Sequence, residues 1–379
     1  MKYVEDRLPM NQLKDNILSY FLTLLQAGLW EKDSRLSTMD VCSSAAVYRL
    51  SKEQSVVGLI AAGIDHVNGS FPKDVALQIV SDTIQLEQRN KDMNSFIAGL
   101  ISDMRIAGIY ALLVKGQGIA QCYERPQWRA CGDVDLFLSV DEYRKAKACL
   151  TEKAQKIDEE NPKSMHQGMI IDSWDVELHG TLRSGLWKRL EDVIDDAQRA
   201  VFYNGNVRSW MNGKTQVFLP RVDEDVIFVF SHILQHFFIG GIGLRQICDW
   251  CRLLWTYKKI INIDLLSKRI KDANAMTEWK VFATLAVDYL GMPADAMPLY
   301  SDAKKWKKKA RKLLHLIIET GNMGHNRDVS YQQEYSGIKR KMTTLRIVSR
   351  YSYKQFQIFP MDALKIWWKM LLRGLRINA

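Results

Sequence analysis

With 379 residues, 47% of them hydrophobic and 25% charged, the chain exceeds one typical domain and can bury two cores. No run of about 18 apolar residues is free of charge and the opening MKYVEDRLPMNQ lacks an apolar signal core, which excludes a membrane span and argues against export. The net charge of +10 is uneven, because residues from Asp302 onward hold 18 Lys and Arg against 5 acids and the first 301 residues carry −3; an anionic partner such as nucleic acid, polyphosphate or an acidic lipid surface is expected there, or else a solvated cationic helix face.

Along the chain, apolar residues recur at helical spacing between 10 and 107, as in Ile17, Phe21, Leu24 and Leu25 and later Val75, Leu77, Ile79 and Ile84. Residues 1–107 are therefore expected to form a helical region, with one long helix over 79–105. The period then changes. Residues 109–114 are almost wholly apolar and end at Lys115-Gly-Gln-Gly118, the pattern of a buried strand entering a tight loop. A second strand is expected over 134–140, a helix over 141–154 with Asp141 as its N-cap, and a third strand over 169–180. This is a small α/β unit, residues 108–220.

Residues 201–219 contain Asn-Gly twice, each flanked by β-forming residues, which predicts a hairpin. Helical segments are expected near 186–200, 223–238, 245–257, 274–290, 303–319, 336–356 and 361–376, so that residues 221–379 form a second helical region with a basic tail. The fold class expected is α+β and mostly helical, a small mixed sheet between helical flanks. In the last segment Leu364, Trp367, Trp368, Leu371 and Leu375 are expected to face the body, membrane-surface docking being the alternative. Six cysteines at 42, 122, 131, 149, 248 and 251 are too irregular for a disulfide framework and fit a reducing compartment, with the cytoplasm as the expected location. Cys248-Asp-Trp-Cys251 has no second pair and follows a helical pattern, so buried thiols are expected rather than zinc.

The chemistry concentrates around Gly132-Asp-Val-Asp-Leu-Phe137. In a strand, Asp133 and Asp135 project from one face while Val134 and Leu136 project from the other. Two anions on one face repel, and a divalent metal relieves the repulsion by taking both as oxygen ligands. Trp174-Asp-Val-Glu-Leu-His179 supplies a third acid by the same alternation. Parity leaves Asp175 and Glu177 open, since both share a face with His179. Between the first two strands, Gly116, Gly118 and Gly132 allow backbone amides to approach an anion, and Lys115 and Arg129 are expected to grip the β and γ phosphates. Arg129 is otherwise expected to be solvated, or paired with Glu124 on the surface. GxxxxGK[ST] is absent, which disfavours a P-loop enzyme. His232 and His236 share one helical face and are expected to hydrogen-bond the helical region to the sheet, with Arg245 and Asp249. His166 and His179 are candidate acceptor-side bases.

Taken together, Val114-Lys-Gly, Tyr123-x-x-Pro126-x-x-Arg129, Gly132-Asp-Val-Asp-Leu-Phe137 and Val176-Glu-Leu-His179, with Phe230-Ser-His-Ile-Leu-Gln-His236 and Gly243-Leu-Arg-Gln-Ile-Cys-Asp249, resemble the uncharacterised nucleotidyltransferase family related to the DNA polymerase beta superfamily. The resemblance spans roughly residues 100–260. It implies a nucleotidyltransferase-type sheet, Asp133 and Asp135 as ligands for Mg2+ or Mn2+, and a third acid that falls on Glu177. Lys115-Gly116 stands where the superfamily usually has a helix-opening Gly-Ser, and Glu replaces the commoner third Asp. The activity implied is transfer of a nucleoside monophosphate from an NTP to an acceptor hydroxyl with release of pyrophosphate; the acceptor is left open. The alternative expectation is a non-catalytic nucleotide- or partner-binding module whose basic C-terminal surface carries the function.

Overall fold

The computed structural model describes residues 10–69, 71–162, 164–322 and 337–376. Four helices open the chain: α1 (Met10–Trp30), α2 (Val41–Glu53), α3 (Val57–Asp65) and α4 (Lys73–Ile106). α2 begins at Asp40, whose carboxylate accepts the Ser43 backbone N–H and so satisfies an orphan amide of the first turn. α1 and α3 cross closely. A Cβ on Gly28 would lie 1.9 Å from the Leu59 carbonyl oxygen, and one on Gly63 would lie 2.0 Å from that of Leu24, an approach that only glycine permits. The two-residue strands β1 (Ser34–Arg35) and β2 (Val67–Asn68) pair in parallel.

Seven further strands form one mixed sheet: β3 (Leu112–Val114), β4 (Asp133–Phe137), β5 (Lys156–Ile157), β6 (His166–Ile171), β7 (Trp174–His179), β8 (Val207–Asn212) and β9 (Thr215–Pro220), in the order β5-β6-β7-β4-β3-β9-β8. β4 runs parallel to β7 and antiparallel to β3, and β3 runs parallel to β9. Helices α5 (Gly116–Ala120), α6 (Val140–Thr151) and α7 (Lys188–Asn204) connect the strands.

One face of the sheet (Leu113, Val134, Leu136, Val176 and Leu178) is buried with Met93, Ile97 and Leu100 of α4 and Tyr143, Ala146 and Leu150 of α6. Leu112, Val114 and Phe137 belong to the other face and join a larger core. That core includes Phe21 and Leu25 of α1 and residues of the following helices: α8 (Val222–Gln235), a π turn over His236–Gly240, α9 (Leu244–Thr256), α10 (Ile263–Asp272), α11 (Met276–Leu290) and α12 (Lys304–Thr320). Phe230, Trp250, Trp279 and Phe282 pack together at its centre, Phe230 stacked on Trp250 and the other ring pairs edge to face. The helical regions before and after the sheet thus share one core, and the Trp30 indole donates to the Leu290 carbonyl across it at 2.6 Å. α13 (Gly337–Phe356) and α14 (Pro360–Arg376) complete the described chain. Among the described residues no helix is long and apolar enough to cross a membrane.

Several elements differ from the sequence expectation. The third strand is a hairpin, β6 and β7, turning at Asp172 and Ser173 with φ of 48° and 67°, the left-handed pair that a two-residue hairpin loop needs. Of the two Asn-Gly pairs, Asn212-Gly213 lies at the β8–β9 turn, Asn212 ending β8 and Gly213-Lys214 forming the two-residue loop. The other ends α7, with Gly205 as its left-handed cap. α6 is capped by Ser139 rather than Asp141, the loop after β3 is the short helix α5, and α10 has no counterpart in the predicted segments.

Among the described side chains of α14, those buried are Ala363 and Ile366. Leu364 and Trp368 are 50% and 54% exposed, Trp367 donates to Ser349 Oγ, and the Leu375 side chain lies outside the described residues. Phe359, buried just before the helix, fixes its phase, and positions four and seven residues later follow it inward. The lysines at the start of α12 are mostly exposed while Leu313, Leu314 and Ile317 are buried. Cys248 and Cys251 are unpaired and fully buried on α9, and burial pushes both thiols up.

Candidate active site

β4 leaves the open position Gly132 and enters the sheet at Asp133, so Asp133 is half-buried and Asp135, two residues deeper, is buried. Its parallel neighbour β7 sets Glu177 opposite Asp135 and Asp175 opposite Asp133. Register alone sets each of the two beside an aspartate of β4, and the side-chain positions separate them. Carboxylate oxygens of Asp133, Asp135 and Glu177 all lie within 4.8 Å of one another, while Asp175 is exposed near the β6–β7 turn.

Cations and imidazoles close around these acids. Lys115 Nζ is 2.8 Å from Asp135 Oδ1, His179 Nε2 is 2.7 Å from the same oxygen and 3.3 Å from Glu177 Oε2, and His166 Nε2 is 3.1 Å from Glu177 Oε2. Repulsion from Asp135, then burial, raises the Asp133 carboxyl. Burial alone would raise Asp135 as well, but Lys115 and the bond to His179 hold it below the ordinary carboxylate range. The bonds from His166 and His179 hold Glu177 far lower. Burial and Lys115 act to lower His179, and its two carboxylate partners overcome them and raise it.

Lys115 takes this position through an unusual backbone, φ 56° and ψ −142°, between β3 and α5. For a residue with a Cβ this is a strained region of the kind found at functional sites. Gly116 follows at φ 38°, where a Cβ would stand 3.2 Å from Cys131 Sγ.

The acids lie in a cleft of about 410 Å3 between the sheet and the α8–α9 layer, with Lys115, Gly116, His166 and His179 on one side and His232, His236 and Arg245 on the other. His232 and His236 pack edge to face, centroids 4.2 Å apart. Burial pushes both below the ordinary imidazole value, His236 to about 4. The expected tie from these histidines to Arg245 and Asp249 is not what forms. Arg245 donates to the Ala130 carbonyl, and Asp249 accepts from Arg129 and Tyr123.

Arg129 corrects the phosphate-grip expectation. It is 4% exposed, and its Nε and Nη2 fork onto Asp249 at 3.0 and 2.6 Å, while Glu124 pairs with Arg252. A buried, bidentate guanidinium is committed to its partner rather than solvated. Gly116 lines the cleft, whereas Gly118 and Gly132 do not. Gly118 packs against the sheet, where a Cβ would meet Leu219 Cδ2 at 2.7 Å, and a Cβ on Gly132 would meet nothing within 4 Å. Asn161, Ser164 and Gln246 line the cleft although no sequence signal singled them out. Asn161 and Ser164 come from a loop that carries no local motif, and Gln246 lies within the Gly243–Asp249 motif without having been assigned a role.

Three convergent carboxylates are an all-oxygen donor set suited to a hard divalent cation, and the Lys115 ammonium on Asp135 shows that positive charge is accommodated there. The residues fit such an ion. A family model described as an uncharacterised nucleotidyltransferase matches residues 43–291, well over half of the chain, taking in all seven strands of the large sheet. No curated protein and no solved structure matches.

Proposed function

The chain belongs to the uncharacterised nucleotidyltransferase family, and on that premise we propose that it transfers a nucleoside monophosphate from an NTP to an acceptor hydroxyl, releasing pyrophosphate. The observation that carries this reading is the convergence of Asp133, Asp135 and Glu177 within 4.8 Å of one another in the cleft. These three residues would hold Mg2+ or Mn2+, which when bound offsets the charge of the phosphate oxygens.

The remaining work belongs to the chain's own side chains. Lys115, already on the acid cluster, is placed to meet a phosphate oxygen as a point charge. Arg245 and Arg129 both border the cleft, each with one guanidinium nitrogen that has no hydrogen-bond partner among the described residues; Arg129 is otherwise committed to Asp249 by two bonds, so the fork role is assigned to Arg245. His232 and His236, held neutral by burial, add polar atoms without adding charge. The cleft is partly walled by Phe228, Val229 and Ile239, apolar surface that suits a base or acceptor and limits water.

The test is pyrophosphate release from each of the four common NTPs with Mg2+, using small-molecule, sugar, protein and RNA acceptors in parallel. Asp133→Asn and Asp135→Asn should abolish it; full magnesium-dependent turnover in either variant would overturn the reading.

A further inference from the structure

We propose that His166, Glu177 and His179 form a second metal subsite, selective for a borderline transition ion such as Zn2+ or Co2+, that shares Glu177 with the all-oxygen site of Asp133 and Asp135. The proposal rests on the nucleotidyl-transfer reading for the purpose of the cleft, and on the coordinates for its geometry.

The antiparallel register of β6 and β7 sets His166 directly across from His179, so both imidazoles stand on one face with centroids 4.9 Å apart. Glu177 precedes His179 by two residues and shares that face. Both Nε2 atoms approach the same oxygen, Glu177 Oε2, at 3.1 and 3.3 Å, and the three donor atoms lie within 4.8 Å of one another. A tetrahedral ion with bonds of about 2.0–2.1 Å separates its ligand atoms by roughly 3.3–3.4 Å. The donors are therefore already near ligand spacing.

The donor chemistry differs from that of the neighbouring acids. Two imidazole nitrogens and one carboxylate form the set that zinc hydrolases and non-haem iron sites use with a position left open. Carboxylates alone suit Mg2+, Mn2+ or Ca2+. His179 Nε2 also lies 2.7 Å from Asp135 Oδ1. A single imidazole N–H cannot fully satisfy both that oxygen and Glu177, so the cluster has capacity for a further cation. Side-chain exposures of 36% for His166 and 34% for Glu177 leave a path for an ion to enter, and all three residues border the cleft.

The test uses the full-length chain, nucleotide-free, titrated with Co2+ while the visible absorption is read, and with Zn2+ by equilibrium dialysis. Wild type should bind Zn2+ and give a Co2+ spectrum of nitrogen ligation. His166→Gln, at the half-exposed rim, should keep the wild-type melting temperature, lose that spectrum and weaken Zn2+ binding at least about tenfold, since even outer partners of a metal ligand are worth 10–100-fold. Asp133→Asn should retain the spectrum. His179→Gln serves as the second variant, with folding checked by circular dichroism. A Co2+ spectrum unchanged in a folded His166→Gln protein, or no Co2+ and Zn2+ binding by wild type, overturns the subsite and leaves the nucleotidyl-transfer reading standing. Absence of pyrophosphate release by the wild type with every NTP and acceptor, with the Co2+ spectrum intact, counts against that reading and not against the subsite.

Discussion

Arg129 and Arg245 are both arginines of the cleft, and their partners decide what each can do. Arg129→Ala would strand the Asp249 carboxylate in the interior, and removing one member of a buried pair is worth about 3–5 kcal/mol. The urea midpoint should therefore fall markedly, with any loss of NTP affinity following the loss of folded protein. An unchanged midpoint with weakened NTP binding would return Arg129 to the phosphate role. Arg245 has one backbone acceptor and a free Nε. Arg245→Ala should weaken Mg2+-dependent NTP binding by roughly 1.5–3 kcal/mol, the range of a charge-assisted hydrogen bond. Calorimetry would read this directly, with Asp135→Ala as the control. NTP binding that ignores both metal and Asp135 would instead favour the non-catalytic binding module.

Among whole elements, the α1–α3 crossing and the loop before β4 make opposite demands on glycine. Gly63→Ala would drive a Cβ to 2.0 Å from a backbone oxygen. The helices must separate, at a loss of about 1–3 kcal/mol or more, visible as a lower melting temperature. Gly132→Ala meets nothing within 4 Å and should melt like the wild type. The long helix α4 was legible in sequence because apolar residues keep helical spacing on both sides of the polar stretch Glu87–Asp92, which holds no glycine or proline, whereas the β6–β7 turn was not. Asp172-Ser173 adopts the left-handed pair without the Asn-Gly chemistry that announced the β8–β9 turn.

Across the whole molecule, the C-terminal helix is joined to the common core through an acid pair. Glu278 of α11 is buried, and burial first, then Asp362 at the start of α14, pushes its carboxyl up to about 8. A carboxyl raised in the folded state gives stability that is present below its ordinary value of 4.5 and lost as pH rises through about 8. The melting temperature should accordingly decline as pH rises from about 4.5 to about 8 and level off above it, and Glu278→Gln should remove most of that decline. At the acid end the sign reverses. Glu177 and Asp135 are held low, so their stabilisation is lost only as pH falls below their ordinary values of 4.5 and 3.8, and the contribution of neutral His236 is lost as pH falls from 6.5 to about 4. A melting series from about pH 2 to about pH 9 checks both arms.

The sequence by itself determined the alternation that puts Asp133 and Asp135 on one face of their strand and Glu177 and His179 on one face of theirs, the existence of the long helix α4, and the hairpin at Asn212-Gly213. These follow from the two-residue strand period, the helical period and turn chemistry, all of which act within a few residues. Only the tertiary structure decided that β4 and β7 are parallel neighbours in the register that selects Glu177 over Asp175, that Arg129 finds Asp249 across 120 positions, and that Phe359 rather than Trp368 fixes how α14 meets the body. Each of these depends on a partner brought from far along the chain, and a local pattern carries no record of which partner that will be.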